Sequence, residues 1–104
     1  MIKQITFLVG LNDKDTYQQE VNTLDAYKVV ANILETDCTI QEAKGVYQHK
    51  NGTLVFETSL IVSVLDFDEV FDDKWVESKT EAIKIALNQE SVIAKYDEVN
   101  SELR

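Results

Sequence analysis

The side chains in this sequence that could do chemistry are mostly carboxylates, and many of them fall in one segment. The chain holds 19 acidic residues, and six of them lie between positions 66 and 77: Asp66, Asp68, Glu69, Asp72, Asp73 and Glu77. Closely spaced carboxylates can hold a divalent cation. An EF-hand is excluded, because Phe71 stands where that loop requires a glycine. We predict an acidic, solvated surface that leads into a helix, with weak divalent-cation binding as the alternative.

Two other reactive side chains, His49 and Cys38, occur once each. A lone histidine makes a poor metal site, although it can act as a general base near neutral pH. We expect His49, at the end of a hairpin on its core side, to be partly buried or to stabilise the turn. Cys38 cannot form an intramolecular disulfide, and the neighbouring Asp37 raises the pKa of its thiol. Phosphate-binding loops, Cys-x-x-Cys pairs and nucleophile motifs do not occur either, so we predict no metal, no cofactor and no catalytic residue.

The overall charge limits the partners that the protein can have. The chain has 104 residues and a formal net charge of −9. Such a protein repels nucleic-acid phosphates and anionic membranes, so we expect no direct binding to either, whereas a basic protein would be a suitable partner. The length predicts one domain over 1–104, with a frayed tail at 98–104. A short apolar N-terminal run without a cleavage site predicts a cytoplasmic protein.

The hydrophobic pattern predicts six elements in the order βαββαβ. Alternation predicts strands over 2–10, 39–49, 53–65 and 91–97, and three- and four-residue spacing predicts helices over 16–35 and 73–87. Asp15 or Thr16 is expected to cap the first helix, and Asn88 to end the second in a left-handed conformation. This order is typical of an α+β, ferredoxin-like sandwich, in which a four-stranded antiparallel sheet carries two helices on one face. The expected strand order is last, first, third, second.

The pair Asn51-Gly52 sets the expected register of the hairpin between the two middle strands. A two-residue type I′ turn would pair Lys50 with Thr53 and Tyr47 with Phe56. In that register Phe56 faces the helices. The uncovered face then carries the apolar residues Leu8, Ile40, Val46, Val55, Ile61 and Leu65.

This uncovered face is more apolar than a solvated sheet face usually is. We predict that a second copy of the chain covers it, which makes the protein a homodimer, while scattered apolar exposure is the alternative. The binding residues predicted on this face are Val46, Val55, Glu57, Ser59 and Ile61.

Several short motifs resemble those of a family of small uncharacterised bacterial α+β domains. In that family a glycine and an aromatic residue precede a turn glycine and Glu-x-Ser, and a helix later ends in Gly-Gln-Glu-Ser-Val. The matching segments here are Gly45-Val46-Tyr47, Asn51-Gly52, Glu57-Thr58-Ser59 and Asn88-Gln89-Glu90-Ser91-Val92. Asn88 replaces the family's glycine and still tolerates a positive φ. The resemblance implies the same α+β fold and no particular activity.

The motif residues Glu57, Ser59, Gln89 and Glu90 allow two interpretations. As structural residues, Glu57 would pair with Lys44 or Lys95, and the residues of the turn before the last strand would satisfy backbone donors there. As functional residues they would form a polar pocket at a dimer interface, where Glu57 acts as an acid or base. Gln89 and Glu90 are therefore predicted as a second group of binding residues.

These observations favour a non-enzymatic binding or interaction module. One alternative is a small-molecule-binding protein or cofactor-free enzyme with its pocket at the dimer sheet. The other is an acidic inhibitor of a nucleic-acid-binding protein, because clustered carboxylates can imitate phosphate spacing. The usage of Lys, Asn and Ile, typical of AT-rich coding sequence, is compatible with a phage or plasmid source for that inhibitor.

Overall fold

The computed structural model describes residues 2–102 of the chain. Within these residues four strands and two helices follow one another in the predicted order. Their bounds are β1 (Ile2–Gly10), α1 (Thr23–Leu34), β2 (Thr39–Gln48), β3 (Leu54–Asp66), α2 (Asp73–Ala86) and β4 (Ile93–Val99).

The strands form a single antiparallel sheet in the order β2-β3-β1-β4. Its two central strands, β1 and β3, pair from Lys3 opposite Asp66 to Gly10 opposite Ser59. The last strand pairs with β1, and β2 pairs with β3. The predicted α+β, ferredoxin-like fold and its strand order are therefore confirmed.

Alternating side chains of the two central strands form the middle of the core. The inward-facing side chains of β1 and β3 are at most 1% exposed: Ile5, Phe7, Val9, Leu60, Val62 and Val64. Both helices pack over them with buried residues of their own: Ala26, Val30, Leu34, Val76 and Ile83. The ring of Phe7 also lies against that of Trp75, at a centroid distance of 6.4 Å. Burial of each large aliphatic side chain stabilises the fold by roughly 1.5–3 kcal/mol. This packing leaves the other face of the sheet without helices.

The β2–β3 hairpin differs from the predicted register by one residue. Val46, rather than Tyr47, lies opposite Phe56. The connection is a three-residue loop over 50–52, because the N–H of His49 donates to Thr53 O at 2.9 Å and Gly52 takes a φ of 88°. A three-residue loop with a left-handed glycine is also a common hairpin connection, and the Asn-Gly pair is compatible with it.

A slip of one residue moves every side chain of a strand to the other face of the sheet. Ile40 and Val46 therefore lie on the helix side, and Tyr47 lies on the uncovered face. Phe56 lies on the helix side of the sheet, as predicted, but it is not buried there. Neither helix covers it, and its side chain is 65% exposed.

Helix α1 begins at Thr23, seven residues later than the predicted start at 16. Its cap is Asn22, whose side chain accepts from the N–H groups of Leu24 and Asp25, so the predicted caps Asp15 and Thr16 are wrong. Asn is among the strongest N-cap residues, and a cap at position 22 starts the helix where its buried stripe begins. Residues 11–22 form a loop instead, closed by a bridge between Asn12 and Gln19.

Helix α2 and the turn after it follow the prediction closely. Asp72 caps the helix by accepting from Trp75 N–H at 2.8 Å, and Asn88 takes the left-handed conformation with a φ of 47°.

Strand β4 runs to Val99, so the predicted frayed tail is wrong for 98–99. Residues 103–104 of that tail lie outside the described residues. No helix in residues 2–102 has the length and apolar character needed to cross a membrane.

Candidate active site

The carboxylate of Glu57 lies on the uncovered face, at one end of the central strand β3, between two glycines. Gly45 is its direct partner on β2, and Gly10 is the last residue of β1. A Cβ built on Gly10 would meet Glu57 Oε1 at 2.6 Å, and one built on Gly45 would meet Glu57 Cγ at 3.5 Å. The missing side chain at Gly10 therefore gives the carboxylate room to lie flat against β1.

The loop after β1 fixes one oxygen of this carboxylate. The backbone N–H of Asn12 donates to Glu57 Oε2 at 3.1 Å, and the N–H of Leu11 donates to Thr58 O at 3.0 Å. The predicted pairing of Glu57 with Lys44 or Lys95 is absent, because Lys44 Nζ donates to Thr58 Oγ1 and Glu57 takes a backbone donor. A carboxylate held by a backbone N–H keeps its second oxygen free to accept from a ligand.

The turn between α2 and β4 forms the opposite wall of the same site. Gln89 is 6% exposed, and its Nε2 donates to Asn12 O at 2.9 Å and to Leu87 O at 3.1 Å. Asn88 holds the loop after β1 as well, because its Nδ2 donates to Asp13 and Asp15 at 2.9 and 2.8 Å. The Asn88 amide is the main reason that the pKa of the Asp13 carboxyl lies below its ordinary value of 3.8, with help from the N–H of Asp15.

These elements enclose a cleft of about 550 Å³. Its described lining residues include three carboxylates and one lysine: Asp13, Glu57, Glu90 and Lys14. The remaining wall is formed by small, polar or apolar residues at the ends of β1, β3 and β4: Leu8, Val9, Gly10, Asn12, Ser59, Gln89, Ser91 and Ile93. A cleft of this size can hold a nucleoside-sized ligand, and its excess of carboxylates favours a cationic one.

Three aromatic rings stand at one side of the cleft. The ring of His49 meets those of Tyr17 and Tyr47 nearly edge-on, at centroid distances of 6.1 and 5.6 Å. The predicted burial of His49 on the core side is wrong, because the three-residue loop places it at the exposed end of the hairpin. The alternative of a turn-stabilising residue fits its backbone, which donates to Thr53 O and accepts from the N–H of Gly52, both at 2.9 Å. Tyr17 has a φ of 60°, an uncommon and strained conformation for a tyrosine. Exposed rings beside a polar cleft offer faces on which a base can stack.

The structure brings four of the predicted binding residues together and separates the rest. Glu57, Ser59, Gln89 and Glu90 all line the cleft, although they come from two distant motifs. Val46 lies on the opposite face of the sheet from Glu57. Val55 and Ile61 share the face of Glu57 and lie outside the described lining.

The predicted acidic surface is wrong for one of its six residues. Asp66 is 1% exposed, and its carboxylate accepts from the N–H groups of Val70 and Phe71 at 2.9 and 3.0 Å. The ammonium of Lys3 lies 3.9 Å from it. The other five carboxylates are exposed as predicted: Asp68, Glu69, Asp72, Asp73 and Glu77. In residues 2–102 no group of three His, Cys, Asp or Glu side chains is arranged to hold a metal ion.

Several residues of the cleft are not predicted from the sequence. Tyr17 falls in the predicted helix over 16–35, where the structure has a loop, and Asp13 and Lys14 precede that helix without a predicted role. Gly10 is predicted only as the last residue of the first strand. The signal that could have located them is the dense polar run from Asn12 to Thr16, since such a run is typical of a loop.

Comparison with known proteins gives structural matches only. No family model and no curated protein matches the sequence, so the resemblance to a bacterial domain family stays a prediction. A solved structure of a phage SAM lyase in complex with S-methyl-5'-thioadenosine matches with a TM-score of 0.68 and 24% identity, over 93% of this chain and 81% of that one. The apo state of a phage SAM lyase matches with a TM-score of 0.67 and 24% identity, over 91% and 78%.

These matches contradict the prediction of a non-enzymatic interaction module. They contradict the acidic-inhibitor alternative as well, because it is also non-enzymatic. The fold that this chain shares over nearly its whole length is one that an enzyme uses. At 24% identity the likeness establishes the fold, and an activity for this chain has to rest on its own residues.

Proposed function

We propose that this protein is an enzyme that cleaves S-adenosylmethionine, or a closely related sulfonium nucleoside, and releases a thioether nucleoside. One observation carries the proposal. The Glu57 carboxylate is held over Gly10 by the Asn12 N–H inside a nucleoside-sized cleft. The fold match to a SAM lyase supports the same substrate class.

The charge of the cleft suits this substrate. S-adenosylmethionine carries a sulfonium, an ammonium and one carboxylate, so its net charge is positive. The cleft presents Asp13, Glu57 and Glu90 against Lys14. Electrostatic attraction between the cleft and the substrate raises both affinity and association rate.

The two ends of the substrate fit different parts of the cleft. We assign the adenosine to the side formed by Tyr17, Tyr47 and His49, whose rings give stacking surfaces to a purine. Glu90 is exposed at the turn before β4, and a carboxylate in that place accepts from both vicinal hydroxyls of a ribose. We assign the substrate ammonium to the free oxygen of Glu57.

The reaction balances without a cofactor or water. The α-carboxylate of the substrate attacks its own Cγ, the Cγ–S bond breaks, and the electron pair goes to sulfur. The products are S-methyl-5'-thioadenosine and homoserine lactone, and no proton is gained or lost. Since the sulfonium and carboxylate charges disappear together, the reaction is favoured where the cleft excludes water.

The role of Glu57 is therefore to position the aminobutyryl group of the substrate. Its carboxylate holds the ammonium and folds the aminobutyryl group, so that the substrate carboxylate stands behind the Cγ–S bond. A carboxylate placed beside the sulfur would instead stabilise the starting charge and slow the reaction. The glycine at position 10 and the N–H of Asn12 keep Glu57 in one orientation.

The test is to incubate the protein with S-adenosylmethionine and follow the products by NMR. The wild-type protein should form S-methyl-5'-thioadenosine, and Glu57→Gln should lose most of this activity while remaining folded. Glu42→Gln is the matched control, because Glu42 lies on the neighbouring strand outside the cleft and accepts from Tyr27 Oη at 2.8 Å. Equal activity of Glu57→Gln and wild-type protein would refute the assigned role.

We further propose that a second copy covers the uncovered face, that the protein is thus the predicted homodimer, and that it acts in the cytoplasm. Leu8, Ile61 and Ile93 lie side by side across three strands of that face, and Leu8 and Ile93 also line the cleft. A second copy seated on them would shield the cleft from water. Size-exclusion chromatography with light scattering tests this, and a monomer at micromolar concentration would contradict it. A basic protein partner stays a prediction.

A further inference from the structure

The side chain of Gln89 is buried at the back of the cleft with both of its N–H donors in use. It is 6% exposed, and Nε2 donates to the carbonyls of Asn12 and Leu87. An amide nitrogen carries two hydrogens, so none is left to donate to a ligand. Its contacts join the loop after β1 to the end of α2.

Asn12 connects this amide to the carboxylate in front of it. The carbonyl of Asn12 accepts from Gln89 at 2.9 Å, and its N–H donates to Glu57 Oε2 at 3.1 Å. Both backbone groups of one residue are thus bound to side chains from distant parts of the chain. Movement of the Asn12 backbone would change the orientation of the Glu57 carboxylate.

The neighbouring backbone is held separately on both sides of Asn12. The N–H of Leu11 donates to Thr58 O, and that of Lys14 donates to Asn88 O, both at 3.0 Å. Removing the Gln89 contact would therefore release the Asn12 carbonyl without detaching the whole loop. The effect should be local, reaching Glu57 through one residue.

We propose that Gln89 is a positioning residue, which orients the Glu57 carboxylate through the backbone of Asn12 and does not itself donate to the substrate. The inference rests on the proposed cleavage of S-adenosylmethionine for its kinetic consequence. Its structural part, the link from Gln89 to Asn12, is independent of any activity.

The first test is a double-mutant cycle on kcat/KM for S-adenosylmethionine. Gln89→Met keeps the length and apolar body of the side chain and removes both donors. We expect it to lower kcat/KM by roughly tenfold to a hundredfold in the wild-type background, as a misplaced positioning group does. In the Glu57→Gln background the same change should lower kcat/KM less than threefold, because the effects of two residues that act through one another do not add. Equal losses in both backgrounds would overturn the proposal.

Thr80→Val is the matched control. It removes a partly buried hydrogen bond of 2.7 Å from Thr80 Oγ1 to Val76 O on α2, outside the described cleft lining. We expect it to lower thermal stability to a similar extent and to leave kcat/KM unchanged. A loss of activity in Thr80→Val that matches the loss in Gln89→Met would show that a general structural effect is being measured, and would overturn the proposal.

The second test measures the Asn12 amide resonance by ¹H–¹⁵N NMR without substrate. Gln89→Met and Glu57→Gln should each shift it, whereas Thr80→Val should not. If Gln89→Met leaves the Asn12 resonance at its wild-type position, the positioning role is overturned even if the enzyme is active. If the wild-type protein neither binds nor cleaves S-adenosylmethionine, the proposed function fails, and the Asn12 readout still decides the link. Should Gln89→Met not fold, Gln89→Leu, which also removes both N–H donors, is measured in the same way. An Asn12 resonance that stays at its wild-type position in Gln89→Leu would then overturn the link.

Discussion

The carboxylate of Glu57 lies so close to the backbone of Gly10 that a Cβ on that residue would come within 2.6 Å of Glu57 Oε1. The two residues belong to neighbouring central strands, and they meet at the cleft, where β1 ends. The glycine thus determines how the acidic side chain lies, although it contributes no functional group of its own.

Gly10→Ala should therefore inactivate the protein without unfolding it. The new methyl group forces the carboxylate away from Asn12, and a displacement of about 1 Å costs roughly a hundredfold in rate. Turnover of S-adenosylmethionine and the melting temperature measure the two effects separately. Gly45→Ala is the control, because its Cβ would come no closer than 3.0 Å, to Ser59 Oγ, and its effect should be smaller. Full activity of Gly10→Ala would argue against this geometry.

Tyr17→Gly should separate ligand binding from stability. Glycine accepts the φ of 60° without strain, so the free energy of unfolding should stay the same or rise. Loss of the ring should weaken binding of S-methyl-5'-thioadenosine by roughly tenfold, since stacking of a base on an aromatic ring contributes about 1–3 kcal/mol. Calorimetry measures the affinity and urea denaturation measures the stability. Unchanged affinity would exclude Tyr17 from the nucleoside site.

The Asp13 carboxyl should report on the contact between the two loops that wall the cleft. Its pKa is held below 3.8, chiefly by the Asn88 amide. A lowered pKa stabilises the folded state at pH values above 3.8, and this contribution disappears as the pH falls through the folded-state pKa. Asn88→Gly keeps the left-handed backbone and removes the amide, so the Asp13 pKa should rise toward 3.8 in an NMR titration. A titration curve that does not move would contradict the assigned cause.

The start of α1 can be tested by comparing two possible caps. Asn22→Ala removes the acceptor of the Leu24 and Asp25 N–H groups and should lower the free energy of unfolding by about 1 kcal/mol. Thr16→Ala should change it far less, because Thr16 Oγ1 binds Glu20 within an exposed loop. Urea denaturation of both variants decides the matter. A larger loss for Thr16→Ala would restore the helix start predicted from the sequence.

The topology was predictable from the sequence because apolar alternation and helical spacing report directly on the buried faces. Register was not, since Asn51-Gly52 is compatible with loops of two and of three residues, and the choice moves Tyr47 and Val46 to opposite faces. That slip also brings Tyr47 and His49 to the cleft.

The site was predictable in part for the same physical reason. Glu57 and Gln89 stand out as polar residues in or beside strands, where the pattern assigns them a face. Asp13 and Tyr17 lie in a loop whose shape depends on contacts with Asn88 and His49, and such long-range contacts have no periodic signature. The helical reading of 16–22 also hid the loop, because Tyr17 and Val21 fit the spacing of a helix that in fact begins later.

The proposed intramolecular cleavage is tested most directly by running the reaction with S-adenosylmethionine in H₂¹⁸O and locating the label in the four-carbon product. We expect S-methyl-5'-thioadenosine together with homoserine lactone, and ¹⁸O only in the carboxylate of any homoserine that forms when the lactone opens. Label in the homoserine hydroxyl would mean that water attacks Cγ and would contradict the intramolecular step. Absence of S-methyl-5'-thioadenosine altogether would contradict the proposed activity.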